Sequence, residues 1–446
     1  MQVVVAYSCN VDDAKFIDCI DTRSKLIFLS KSNKHYNEKG YQNTALRRRT
    51  KKRRTWMTKS QTKREKKNQI YNNKKKVNRK YIPDDISISI LSKLPIKSLK
   101  RFSCVSKSWS LFLQNPNFIS IFRNYFLSNS DPLDDDDVYL VFDWDAEQHE
   151  MMSFLSGERL QNVEYLAPPT VYDYYRFLFH SLGTAINGIV CIYINGVHEK
   201  AVLWNPTTTE TYVVPSGLAE LRQDGANCYI FHGFGYDPVA DDYKIIQHVH
   251  FSLFGYPFSI EHKDNTFWEI YSLRTNSWTQ LDFLMPTRHL RSVGTELYLN
   301  GMCHWWGKTP YEAYVVSFNL SNYEFFITPL DMHANFRFNL VVLNGSLAMI
   351  SNVKNTTFYV ISILGEIGVK ESWIRLFEVD VMSCVNRPLT IGYKGNLFFL
   401  KKDGKAACFD LTTGVFEDID SHRGGLIGQI IVYKKNLRPI GGINND

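Results

Sequence analysis

From Val138 onward, short runs rich in Val, Ile, Tyr and Phe alternate with turns of Gly, Asn, Asp and Pro, and one turn pattern keeps returning. An aromatic residue, a polar residue, Leu or Pro, and then Thr or Ser appear in "WNPTTTET" at 204, "YSLRTNSW" at 271, "FNLSNYEF" at 318 and "FDLTTGVF" at 409. "ISILGEIG" at 361 is a degenerate copy. Aligned on Pro206, Leu273, Leu320, Leu364 and Leu411, the copies lie 67, 47, 44 and 47 residues apart. A period of roughly 40–50 residues with several strands in each unit is the signature of radially repeated β-blades. Each copy reads as a strand, a turn and the outer strand that ends a blade. "VYLVFDWDAEQHEMMSF" is a candidate sixth copy, so the fold expected is an all-β propeller of about six blades. A generic β-sandwich whose turns merely look alike is the competing reading. The aromatics Trp204, Trp278, Phe318 and Phe409 are expected to pack blade interiors, and the long first interval places an insertion near "LFGYPFSIEHKDN".

Charge divides the chain before this region begins. The 446 residues carry a net +7, yet residues 47–80 alone hold 17 Lys and Arg against the single acid Glu65. The remainder is therefore acidic. A segment this charged cannot bury a core, and residues 47–80 read as a disordered basic arm. Three roles compete for it: a solvated tail, with Met57 as an alternative start, a nuclear-import signal, or an arm that grips nucleic-acid phosphates. Residues 1–46 show no clear period. "MQVVVAY" has neither the basic flank nor the apolar length of a signal peptide. The eight cysteines are irregularly spaced with no CxxC pair, which suits reduced thiols. Nucleus, cytoplasm or both is the expected location, and no membrane association is expected.

Between arm and strands, residues 81–127 read as helices. Pro83 suits a helix start, with Asp84 and Asp85 at its positive end. Ile86 and Ile90 are spaced i,i+4 with Leu91 beside them, and Pro95 disfavours helix at Leu94. Leu99, Phe102 and Val105 follow at helical spacing. Ser106 is an N-cap candidate for a third piece carrying Trp109 and Leu113. Asn115 caps and Pro116 starts a fourth, with Phe118, Phe122 and Tyr125 on one side. Residues 128–137, with four consecutive aspartates, read as an acidic linker; the β domain is placed at 138–433 and a tail at 434–446.

"IPDDISISILSKLPIKSLKRFSCVSKSW" resembles the F-box, the adaptor-binding motif of SCF-type ubiquitin ligases, in its plant form. The later "AINGIVCIY", "LWNPTTTE", "GFGYDPVADDYKII", "WEIYSLRTNSW" and "LNGMCHWW" look like the plant F-box-associated, kelch-like repeat region. Departures are Ile82 where Leu is usual, and Ser87 and Ser89 in place of Leu and Glu. The resemblance implies that the F-box docks to a Skp-type adaptor and through it to a cullin, while the β domain holds a target protein. It implies adaptor contacts at Ile82, Pro83, Ile86, Ile90, Leu91, Leu94, Pro95, Leu99, Val105 and Trp109.

Catalytic motifs are missing from the sequence: there is no phosphate loop, nucleophile elbow or HExxH. No cofactor and no metal are expected. His248 and His250, with Asp241 or Asp242, form a conceivable metal set, but a satisfied histidine pair is the stronger reading. Phe254, Tyr256 and Phe258, in the insertion at 254–265, are expected either to grip a target or to fold back onto their own blade. The alternatives to a substrate receptor are a carbohydrate- or small-molecule-binding propeller with a vestigial F-box, and a nucleic-acid-associated protein led by residues 47–80.

Overall fold

The computed structural model describes residues 83–94, 96–103, 107, 110–111, 115–128, 137–144, 150–157, 160, 162–167, 169, 179–194, 200–218, 226–252, 266–287, 296–309, 312–330, 336–353, 356–392, 395–419 and 426–440. The chain divides into two compact units, residues 1–90 and 91–446. Three α-helices are described: α1 (Asp84–Leu91), α2 (Ile96–Ser103) and α3 (Pro116–Ser128). The strands that follow form six four-stranded antiparallel sheets.

These sheets are the blades of a six-bladed β-propeller. Blade 1 joins β1 (Asp137–Trp144), β2 (Glu150–Ser156) and β3 (Asn162–Leu166) to the last strand, β24 (Leu426–Lys434). Blade 2 holds β4 (Phe179–Ser181), β5 (Val190–Ile194), β6 (Ala201–Asn205) and β7 (Glu210–Val213). Blade 3 holds β8 (Ala226–Asp237), β9 (Asp242–Ser252), β10 (Thr266–Ser272) and β11 (Ser277–Leu281). Blade 4 holds β12 (Leu297–Leu299), β13 (Met302–Lys308), β14 (Ala313–Asn319) and β15 (Phe325–Leu330). Blade 5 holds β16 (Phe336–Leu343), β17 (Ser346–Val353), β18 (Phe358–Leu364) and β19 (Trp373–Asp380). Blade 6 holds β20 (Val385–Ile391), β21 (Asn396–Lys401), β22 (Ala406–Asp410) and β23 (Phe416–Asp418).

The ring closes where β24 pairs with β1, from Asp137 opposite Lys434 to Trp144 opposite Leu426. Pairing the last strand with the first blade ties the two ends of the ring together. Side chains reinforce the closure. Gln429 on β24 accepts from the Ser181 amide (2.9 Å) and donates back to the Ser181 carbonyl (3.2 Å), tying blade 1 to blade 2. The Arg387 guanidinium donates to the Gly428 carbonyl at 2.8 Å, tying blade 6 to β24.

The recurring turn links the third and fourth strands of a blade in all five copies: β6–β7, β10–β11, β14–β15, β18–β19 and β22–β23. Its polar position is a cap. Asn205 Oδ1 accepts from the amides of Thr207 and Thr208, Asn319 Oδ1 from Ser321 and Asn322, and Asp410 Oδ1 from Thr412 and Thr413. Four residues beyond the cap the backbone turns left-handed, at Thr209, Asn276, Tyr323 and Gly414. Short side chains that hydrogen-bond their own turn explain why Asn, Ser and Asp recur there.

Interior strands are flanked by neighbouring blades on both faces and read as unbroken apolar runs. "AVLWN" of β6 is buried at every position, whereas the outer strand β7 alternates half-buried with exposed. The core is a set of wedges between adjacent blades. Trp204 and Val190 of blade 2 pack with Phe154 and Tyr433 of blade 1, and Trp268 and Ile246 of blade 3 pack with Trp305 and Phe318 of blade 4. The repeat aromatics Trp204 and Phe318 are buried as expected; Trp278 and Phe409 are only half-buried. Tyr271, fully buried, occupies the register of Trp204, because the repeat places its core aromatic just before the capping residue.

Candidate functional site

α1 begins with the Ser87 amide donating to the Pro83 carbonyl (3.0 Å), so proline sits where no helical amide is needed. Ile86 and Ile90 lie one turn apart on one side. Ile86 is 47% exposed, Pro83 is exposed and Ile90 is half-buried. The helix ends tightly, with the Leu94 amide donating to the Leu91 carbonyl (3.0 Å), and Leu94 is half-buried. Leu91 and Leu99 are buried, so Pro83 and Ile86 are the apolar groups of this set most open to a partner. Ser89, one of the unusual polar residues, is exposed, while Ser87 is half-buried. Ile82, Pro95, Val105 and Trp109 lie outside the described residues.

α3 is capped as its sequence indicates: Asn115 Oδ1 accepts from the Asn117 amide at 2.9 Å. Its buried stripe is Phe118, Phe122 and Phe126, with ring centroids 6.1 and 5.7 Å apart in succession. Phe126, at i+4 from Phe122, takes the place expected for Tyr125, which is half-buried. The helix rests on blade 5. Asn344 Nδ2 donates to the Phe126 carbonyl (2.5 Å), and the Arg123 guanidinium lies 5.4 Å from the centre of the Phe377 ring on β19.

Propeller topology sorts the turns. Hairpins between first and second strands share one rim with those between third and fourth strands; second-to-third connections leave at the opposite rim. Asn344 belongs to the β16–β17 hairpin and so marks the α3 rim. The connection from β9, ending at Ser252, to β10, starting at Thr266, leaves at the far rim. Phe254, Tyr256 and Phe258 fall in that connection and lie outside the described residues.

"GFGYDPVADDYKII" is a blade-to-blade clasp on the α3 rim. Lys244 Nζ donates to Asp237 Oδ2 (2.7 Å) and to the Leu320 carbonyl of blade 4 (2.9 Å), and lies 4.8 Å from the Tyr323 ring centre. Asp237 Oδ1 caps the amides of Val239 and Ala240 and accepts from Ser321. Burial pushes the Asp237 carboxyl up, but the bonds from Lys244, Ser321 and the two amides outweigh it and hold it below the usual carboxylate range. The capping of this turn is thus performed by Asp237. Asp242 instead reaches the next hairpin, accepting from the Arg274 amide (2.8 Å) and from Ser272 (2.6 Å), and Asp241 accepts from the Tyr236 hydroxyl. Sequence spacing could not reveal this, since Leu320 and Ser321 come from another blade.

His248 lies six residues from Asp242 along β9, about 20 Å in an extended strand, so the conceivable His–Asp metal set is pulled apart. His248 instead faces Trp268, with ring centroids 4.9 Å apart. Among the described residues no group of three or more His, Cys, Asp or Glu side chains could hold a metal ion. Among them, too, no helix is long and apolar enough to cross a membrane.

Comparison with known proteins fits this architecture. The family described as "F-box associated beta propeller domain" matches residues 180–435, and the F-box domain matches residues 81–120. The chain belongs to the F-box associated β-propeller family and carries an F-box ahead of the propeller. An F-box/kelch-repeat protein of Arabidopsis thaliana is 25% identical over 75% of this chain and 89% of its own length. F-box protein CPR1 of Arabidopsis thaliana is 24% identical over 77% of this chain and 83% of its own. A third Arabidopsis thaliana F-box protein is 26% identical over 57% of this chain, and the match spans 62% of that relative.

Proposed function

We propose that this chain is the substrate-receptor subunit of an SCF-type ubiquitin ligase. Its F-box engages a Skp-type adaptor and, through it, a cullin, and the propeller holds the target. The observation that carries the reading is the order of the two modules, an F-box match at 81–120 followed by a propeller match at 180–435. The exposure of Ile86 on α1 and of Pro83 just before it supports the reading, because apolar residues held at the surface of a helix suit a partner's groove. The chain performs no covalent chemistry in this role. It raises the effective concentration of a target lysine beside the conjugating enzyme. The far rim, away from α3, is where the target is held, and Phe254, Tyr256 and Phe258 are the residues assigned to it.

Co-purification with a Skp-type adaptor tests the reading. Ile86 is exposed, so Ile86→Arg is expected to leave the melting temperature unchanged while weakening adaptor capture more than tenfold, the effect of losing one interface anchor of about 2 kcal/mol. Leu94→Ala with Pro95→Ser should act in the same direction. No adaptor capture by the wild-type chain, or undiminished capture by Ile86→Arg and by the double variant, overturns the assignment.

A further inference from the structure

β24 ends at Lys434, but residues 435–440 stay on the propeller and cross the end of blade 2, where β6 turns into β7. Asn205, fully buried in that turn, donates through Nδ2 to the carbonyls of Asn436 (2.9 Å) and Arg438 (3.0 Å). The turn itself does not need an amide, since Asp410 caps its counterpart in blade 6. Asn436 Oδ1 accepts from the Arg438 amide (2.9 Å), a local turn that brings both carbonyls to one nitrogen. Further on, Glu210 Oε2 accepts from the Ile440 amide (2.9 Å). Ile440 is 2% exposed and belongs to the core wedge between blades 2 and 3, with Leu203 and Val214 of the first and Phe231 and Tyr271 of the second. Gly188 leaves this strap its room: a Cβ there would stand 2.5 Å from that of Asn436. Leu437, by contrast, is 78% exposed.

We infer that the wedge between blades 2 and 3 is a peptide-binding groove, and that residues 435–440 are its resident ligand, held in cis. The class of ligand is a peptide that presents two main-chain carbonyls around an asparagine turn and, four residues after that asparagine, a branched apolar side chain. Main-chain carbonyls are alike in every sequence, so the Asn205 amide supplies grip and the apolar pocket supplies the choice. Emptying the groove strands the buried Asn205 amide and opens an apolar cavity, so an occupant is favoured. The strap extends the ring's closure beyond the pairing of β24 with β1, and while it is seated the groove is shut to other peptides of the same pattern.

The test uses the full chain and, as probe, a fluorescein-labelled peptide of residues 435–446. Ile440→Asp in the chain sets a carboxylate in the apolar wedge and should unseat the strap, lowering the melting temperature. Added peptide should then bind and raise that temperature again in proportion to its concentration. The wild-type chain should bind the same peptide at least about tenfold more weakly, because its own strap competes at high effective concentration. A peptide carrying Ile440→Ala should bind the Ile440→Asp chain about thirtyfold more weakly than the native sequence, the low end for truncating a buried isoleucine, and one carrying Leu437→Ala should bind equally well. Adding Asn205→Asp to the chain keeps an oxygen for the turn but withdraws both donors, and should weaken the native peptide about tenfold. If the Ile440→Asp chain does not fold, Ile440→Ala in the chain supports the same comparisons. An unchanged melting temperature, or a peptide that neither binds nor restores stability, overturns the groove. Equal binding by wild type and variant overturns occupancy in cis. Equal binding by the Ile440→Ala and Leu437→Ala peptides overturns the apolar pocket as the selector.

Discussion

His304 on β13 is fully buried, and its Nδ1 lies 2.8 Å from the Ser317 hydroxyl on β14. Burial pushes its imidazole down from the usual 6.5 to about 4. The unfolded chain takes up a proton near 6.5 and the folded chain near 4, so His304 contributes stability in full above pH 6.5 and loses it as pH falls through that window. The loss is about 3 kcal/mol at 1.36 kcal/mol per unit. The melting temperature of the wild type is expected to fall between pH 6.5 and 4, and that of His304→Gln to fall less steeply; equal slopes would falsify this account. Side-chain identity announced some residues and hid others. Asn115 and Pro116 were legible as a helix start because capping is local. Phe126 in place of Tyr125 was not, because two adjacent aromatics both fit a helical stripe until the neighbour that buries one of them is known.

At the level of elements, the hairpins were readable and their clasps were not. Capped turns depend on a few consecutive residues, so the repeat was visible as strand, turn and outer strand. The Asp237–Lys244 pair joins blade 3 to Leu320 and Ser321 of blade 4, and needs the blades assembled. Both side chains are buried, so removing one partner leaves an uncompensated charge. Lys244→Met is expected to destabilise by about 3–5 kcal/mol, read as a lower denaturation midpoint. Adding Asp237→Asn, which keeps an oxygen to cap Val239 and Ala240, should restore part of the loss. A Lys244→Met chain as stable as wild type, or a double variant weaker than the single, would show that the pair is not what joins the hairpins.

For the whole molecule, the basic arm and the propeller are separable in the sequence and are expected to separate in function. The arm's 17 basic residues carry charge without apolar periodicity. Deleting residues 47–80 should therefore leave adaptor capture and the melting temperature unchanged, and should move a fluorescent fusion out of the nucleus. Identical distribution with and without the arm removes the import role; loss of adaptor capture shows that the arm is not an independent tail.

Local chemistry, read from consecutive residues, determined the class of fold: a period near 45 residues fixed repeated blades, and "IPDDISISIL" through "KSW" marked the F-box. What the sequence by itself could not supply was every relation between residues far apart along the chain. That β24 closes blade 1, that Gln429 clasps Ser181, and that Asn344 caps α3 from 218 residues away are decided only when the ring is assembled. The reason is physical. A turn or a cap is satisfied within a few residues, whereas a wedge between blades, a closing strand or a borrowed helix cap is satisfied by whichever neighbour the tertiary structure brings alongside.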